Sequence, residues 1–182
     1  LGKNKEYDEA IETYKKALSI NPDGFDTFYN MAVTLQDQNK LENAIENYKK
    51  VLVFKPDHAE SYINIGVVLQ AQGKIQKAIE AYNNALSINP NDAEVYNNMG
   101  IAFKAQGKLE EAIEAFNKAI LVKPDYADAY NYLGNALKEQ SKIEEAIEAY
   151  NKVLSIKPDY GTAKHMLASL TGEKTETAPP EY

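Results

Sequence analysis

Residues 93–126 read AEVYNNMGIAFKAQGKLEEAIEAFNKAILVKPDY, and the rest of the chain repeats this stretch. Its closing Pro124 has counterparts at Pro22, Pro56, Pro90 and Pro158, each 34 residues from the next. A fixed period of this size marks stacked repeats, in which each unit is buried by its neighbours and no single central core exists. With proline set at place thirty-two, complete repeats run 25–58, 59–92, 93–126 and 127–160. Residues 1–24 read as the second helix of a partial repeat, and 161–171 as a capping helix. Residues 172–182, polar and carrying Pro179-Pro180, read as a flexible connector.

Inside each repeat the apolar and small residues fall at places four, seven, eight and eleven. In the quoted copy they are Tyr96, Met99, Gly100 and Phe103; one repeat earlier they are Tyr62, Ile65, Gly66 and Leu69. The spacing i, i+3, i+4, i+7 is one face of an α-helix. Glycine inside a helix costs roughly 1 kcal/mol relative to alanine, so Gly66, Gly100 and Gly134 need a packing reason. Close approach of a neighbouring helix supplies one.

A turn is expected at Asn39, Gly73, Gly107 and Ser141, residues that favour a helix break. A second helix then carries Ala112, Phe116 and Ala119 in the quoted copy and Ala44, Tyr48 and Val51 two repeats earlier. Glu12–Lys16, Glu46–Lys50, Glu114–Lys118 and Glu148–Lys152 are i, i+4 pairs on the wet side, each contributing about 0.3 kcal/mol. After each proline a polar residue restarts the helix. Asp57 with Glu60, Asn91 with Glu94, Asp23 with Asp26 and Asp125 with Asp128 have capping-box spacing.

Composition narrows the function. The 27 acidic residues against 20 basic ones leave a net charge of −7, which argues against nucleic acid or an anionic membrane as partner. Every basic residue is lysine, so the bidentate guanidinium fork is missing. Cysteine is absent, which removes thiolate chemistry and fits a reducing compartment; a cytoplasmic location is the expectation. The two histidines, His58 and His165, lie on different repeats, with His58 expected at the solvated surface. No HExxH, P-loop or phosphate-binding glycine loop occurs, so no catalytic, cofactor-binding or metal residues are expected and the chain reads as non-enzymatic.

The period, the proline, the aromatic–small alternation and the second-helix alanine together resemble the tetratricopeptide repeat (TPR) family. The resemblance covers nearly all of residues 1–160. It departs at place four, where the family often has tryptophan and this chain has Phe or Tyr, and at Ala32, where glycine is usual. It implies an all-α, right-handed superhelical solenoid of antiparallel helix pairs. It also implies that the first helices line a concave groove that binds a protein or peptide segment.

The family's groove places are two, five, six, nine, twelve and thirteen. They select Asn30, Asn64 and Asn98 at place six, Asn97 and Asn131 at place five, and Asn135 at place nine; Lys104 and Lys138 lie further along. A carboxamide donates and accepts, so a file of them can hold a peptide backbone without reading its sequence. The arrangement resembles the asparagine ladder in the repeat arm of protein O-glycosyltransferases. The acids at place two (Asp26, Glu60, Glu94 and Asp128) read as capping residues or as a rail for basic ligands. They also argue against a chaperone-type clamp for a C-terminal carboxylate, which would meet like charge.

Two further expectations concern the ends. The helix of Ala10, Tyr14 and Ala17 lacks its partner, so either the native chain has preceding repeats or this face self-associates. The segment AKHMLASLTGEKTETAPPEY, residues 163–182, resembles the junction between TPRs and an S-adenosylmethionine-dependent methyltransferase domain in bacterial proteins. On that resemblance the chain would be the recruiting arm of a larger enzyme.

Overall fold

The computed structural model describes residues 2–172, which form ten α-helices and no strand. They are α1 (Gly2–Ile20), α2 (Phe25–Asp37), α3 (Leu41–Phe54), α4 (Ala59–Ala71), α5 (Ile75–Ile88), α6 (Ala93–Ala105), α7 (Leu109–Val122), α8 (Ala127–Glu139), α9 (Ile143–Ile156) and α10 (Gly161–Thr171). Nearly all of the expected connector and half of the methyltransferase-like segment lie outside the described residues.

The chain divides into two compact units, Leu1–Pro90 and Asn91–Tyr182. In the first, each of α1 to α4 packs on the helix that follows it. In the second, α6 to α10 pack in the same sequential way, and α6 also touches α8. Each unit has its own core. The first centres on Met31, Ala32, Leu35, Ala44 and Tyr48, the second on Phe116, Leu133, Leu137, Tyr150 and Val153.

The helix-to-helix turns share one geometry. Asn39, Gly73, Gly107 and Ser141 all sit at positive φ, between 59° and 72°. At each, the next residue's N–H reaches back to a carbonyl five residues earlier. Lys40 donates to Leu35 at 2.8 Å, Lys74 to Leu69 at 2.9 Å, Lys108 to Phe103 at 3.0 Å and Lys142 to Leu137 at 2.9 Å. This is a Schellman ending, which satisfies carbonyls that a helix C-terminus otherwise leaves open.

The glycines at place eight also have the packing reason they need. A Cβ on Gly66 would lie 2.4 Å from the Tyr82 ring, one on Gly100 2.4 Å from Phe116, and one on Gly134 2.8 Å from Tyr150. The ring at place twenty-four therefore rests directly on the backbone of the preceding helix. Tyr48, Tyr82, Phe116 and Tyr150 are at most 1% exposed as a result. Tyr14, whose helix has no such partner among the described residues, is only half-buried.

The helix starts differ from the capping boxes the sequence predicts. Each first helix begins at place one, so the cap position is place thirty-four and not thirty-three. His58 caps α4, its Nδ1 accepting from the Ser61 N–H at 3.2 Å, and Asp92 caps α6, accepting from Glu94 and Val95 at 3.1 Å each. α2, α8 and α10 follow Gly24, Tyr126 and Tyr160 with no side-chain cap bond. His58 is correspondingly not a solvated side chain. It is half-buried against the rings of Phe25 and Tyr29, with centroids 6.4 and 5.1 Å away. The surface pairs are also partly re-sorted. Glu114 meets Lys118 at 2.7 Å as expected, but Glu12 takes Lys15, and Lys50 lies over the Phe28 ring.

Repeats are further tied by a contact the sequence reading missed. Gln38 donates to Asp8, Gln72 to Glu42 and Gln140 to Glu110, each across 30 residues at 2.8–2.9 Å. The amide at the end of one first helix thereby holds the start of the preceding second helix.

Candidate peptide-binding face

In the first unit the first helices are α2 and α4. Asn30 is exposed on α2. Asn64 on α4 is half-buried and donates its amide to the Tyr29 hydroxyl at 3.2 Å. Further along, Gln36 accepts from the Tyr48 hydroxyl at 2.9 Å and Gln70 from Tyr82 at 3.0 Å. These two bonds give the buried phenols the partner that a buried hydroxyl requires. Val67 on α4 is 36% exposed and adds apolar surface between the amides.

In the second unit the first helices are α6 and α8. Asn98 is half-buried, while Asn97 and Asn131 are only 4% and 7% exposed. Both of the latter keep an amide oxygen without a hydrogen-bond partner. Asn135 accepts from the Tyr150 hydroxyl at 2.8 Å. Lys104 forms an ion pair with Glu139 at 2.6 Å, and the Lys138 Nζ lies 3.4 Å from the Met166 sulfur. The expected groove residues therefore fall into two kinds. Asn30, Asn64 and Asn98 are reachable from solvent, whereas Asn97 and Asn131 lie beneath their neighbours.

The difference between the units comes from a swap of large and small side chains. In the first unit Tyr29, at place five, packs edge-on against Tyr48 at 5.8 Å, and the small Asn64 follows at place six of the next repeat. In the second, Asn97 holds place five and Tyr132 holds place six of the next repeat, stacked on Phe116 at 5.8 Å with ring planes 15° apart. The slot beside the place-twenty-four ring is filled from one helix in the first unit and from the other in the second. The chain also adjusts at place twelve. Phe116 has no hydroxyl to satisfy, and there the partner position carries Lys104 instead of glutamine, free to pair with Glu139.

Three of the acids at place two, Glu60, Glu94 and Asp128, lie close to phenols. Tyr160 donates to Asp128 at 2.8 Å. Burial, and after it the bond to Asp128, pushes the Tyr160 hydroxyl up to about 12. Tyr29 is raised by burial and then by the charge of Glu60, and Tyr126 by burial and then by Glu94 and Asp128. Tyr126 and Tyr160 stand at place thirty-four and Tyr29 at place five, so no single spacing in the sequence announces these contacts.

Three hollows lie between consecutive second helices and not on these faces. One of about 490 Å³ lies over Ile11, Met31 and Leu35, one of 310 Å³ over Ile65 and Leu69, and one of 360 Å³ over Leu133 and Leu137. Their rims mix glutamate and lysine, so no single ligand charge is favoured. Among the described residues no group of His, Cys, Asp and Glu is gathered for a metal, and no helix is long and apolar enough to cross a membrane.

Known proteins place this architecture. The family profile described as TPR repeat matches residues 3–38, 35–73, 69–107 and 102–141, and that described as tetratricopeptide repeat matches 127–160. The matches stop at Tyr160, and the methyltransferase-like reading of the last residues finds no support in them. No curated protein matches the chain. A crystal structure of MamA is 30% identical with a TM-score of 0.80, over 87% of this chain and 93% of that one. The first TPR of Spaghetti (RPAP3), bound to the HSP90 peptide SRMEEVD, is 26% identical with a TM-score of 0.61, over 63% of this chain and 90% of that one. The fold also matches YrrB, described as a TPR protein with an unusual peptide-binding site, at 24% identity and a TM-score of 0.74 over 91% and 85% of the two chains. With the repeat geometry and these matches in agreement, the chain belongs to the tetratricopeptide repeat family.

Proposed function

We propose that this TPR chain is a non-catalytic interaction scaffold that holds a peptide segment of a partner protein on the faces of its first helices. The observation that carries this reading is the exposure of donor–acceptor amides on those faces. In the first unit Asn30 is open to solvent and Asn64 half-buried, with Val67 adding apolar surface on the same helix as Asn64; in the second unit Asn98 is half-buried. Such a set can satisfy a peptide's own N–H and C=O groups, whose loss of water would otherwise cost binding energy. The peptide seen on the TPR of Spaghetti supports the class of ligand. Its acidic sequence does not transfer easily, because place two is acidic in every repeat here.

The test is selection of binders from a displayed library of random short peptides against the full chain, followed by affinities from fluorescence anisotropy. The Asn64→Ala, Asn98→Ala double variant is expected to bind the selected peptides about tenfold more weakly, with unchanged helical circular dichroism. Unchanged affinity would remove these amides from the account.

A further inference from the structure

In the second unit, hydrogen-bond acceptors accumulate at one end of the first-helix face. Glu94 and Asp128 stand in the first turns of α6 and α8. Asn97 and Asn131 follow them by three residues, so each lies one turn along the same side of its helix. Both amides are more than nine-tenths buried, and the oxygen of each lacks a donor. A buried acceptor in that state costs on the order of 1–3 kcal/mol. Its recurrence at the same place in two successive repeats makes a chance packing fault a poor explanation.

The chain's own cations do not answer these acceptors. Lys104 is bound to Glu139, and the Lys138 nitrogen lies against Met166. Among the described residues no ion pair reaches Glu94 or Asp128. Tyr126 and Tyr160 border the two acids, and their rings already accept ammonium groups, with Lys123 and Lys157 5.2 and 5.8 Å from the centroids. Both phenols are held above their ordinary range, first by burial and then by the neighbouring carboxylates.

We propose that this end of the face receives a cationic side chain, lysine or arginine, from the bound partner peptide, with Glu94 and Asp128 as its counter-charges. The inference rests on the peptide-binding reading above and adds the chemistry of the ligand. It also gives the acids at place two a role that capping does not, since in this unit the α6 cap is Asp92 and α8 has no side-chain cap.

The experiment uses the full chain and three short peptides with blocked ends, identical except for a central residue triad of lysine, norleucine or glutamate. Anisotropy titrations at low salt are expected to show the lysine peptide binding about tenfold tighter than the other two, with the advantage shrinking as salt rises. The Glu94→Gln, Asp128→Asn variant keeps acceptors for its hydrogen bonds and so keeps the fold, as circular dichroism checks. It is expected to bind all three peptides alike, at the affinity of the norleucine peptide for the unaltered chain. Equal affinity of the unaltered chain for the three peptides overturns the cation preference while leaving peptide binding intact. So does a lysine advantage that survives in the variant. Failure of all three to bind counts against both readings.

Discussion

The ring of Phe116 rests on the backbone of Gly100, so closely that a Cβ there would stand 2.4 Å from the ring's Cε1. The contact ties the two helices of one repeat and recurs between Gly66 and Tyr82. Alanine at Gly100 gains roughly 1 kcal/mol of helix propensity, but the ring cannot yield without disturbing a fully packed core. Overpacking of this kind costs about 1–3 kcal/mol. Gly100→Ala is therefore expected to lower the midpoint of urea denaturation, and a raised midpoint would show that the ring has room to move. Ala32→Gly, where the chain already accommodates a methyl, should destabilise for the opposite reason.

Ser141 holds a left-handed backbone conformation at φ 61° where Gly73 and Gly107 do the same without a side chain. An L-residue in that region carries a steric penalty of about 1 kcal/mol that glycine avoids. Ser141→Gly is expected to stabilise the protein by up to about 1 kcal/mol, and Gly107→Ala to destabilise it by a similar amount. Both are read from the shift in thermal midpoint.

Tyr150 donates to Asn135 from a fully buried position, and burial followed by the charge of Glu139 pushes its hydroxyl up to about 12. The folded state thus favours the neutral phenol more than the unfolded state does, whose phenol titrates near 10. The stabilisation is fully present below about pH 10 and is lost as pH rises towards 12. Denaturation midpoints measured from neutral to alkaline pH should fall across that window. In Tyr150→Phe, stability at neutral pH should drop by about 1 kcal/mol through the lost bond, and the alkaline fall should become shallower. An equally steep fall in the variant would assign it to other groups.

The swap between Tyr29 with Asn64 and Asn97 with Tyr132 makes a coupled prediction. Tyrosine at Asn97 alone would compete with Tyr132 for the slot beside Phe116. Asn97→Tyr is expected to destabilise, and Asn97→Tyr with Tyr132→Asn to recover, with a coupling energy above about 0.5 kcal/mol. Additive effects would mean that the two positions do not share the slot.

The place-two acids show how a correct pattern can carry the wrong contacts. Their spacing from a preceding Asp or Asn matched a capping box, but the helices begin one residue later than that spacing assumes. A shift of one residue turns a helix position by 100°, enough to replace a cap bond by the Tyr160 hydroxyl. His58 failed for the same reason: its place is a cap position packed by Phe25 and Tyr29, and nothing in its own neighbourhood in sequence announces those rings.

The 34-residue period determined the helix pairs, the left-handed turns at Asn39 and Ser141 and the rings that sit on glycine, because each follows from spacing along one chain. The resemblance put places five and six on the groove alike, yet Asn97 and Asn131 at place five are buried while Asn30, Asn64 and Asn98 at place six stay reachable. Only the packed structure decided that, because whether an amide is reachable depends on the volume of a side chain brought beside it from the next repeat. One-dimensional spacing sets which residues share a helix face, and the competition for space between neighbouring repeats sets which of them meet solvent.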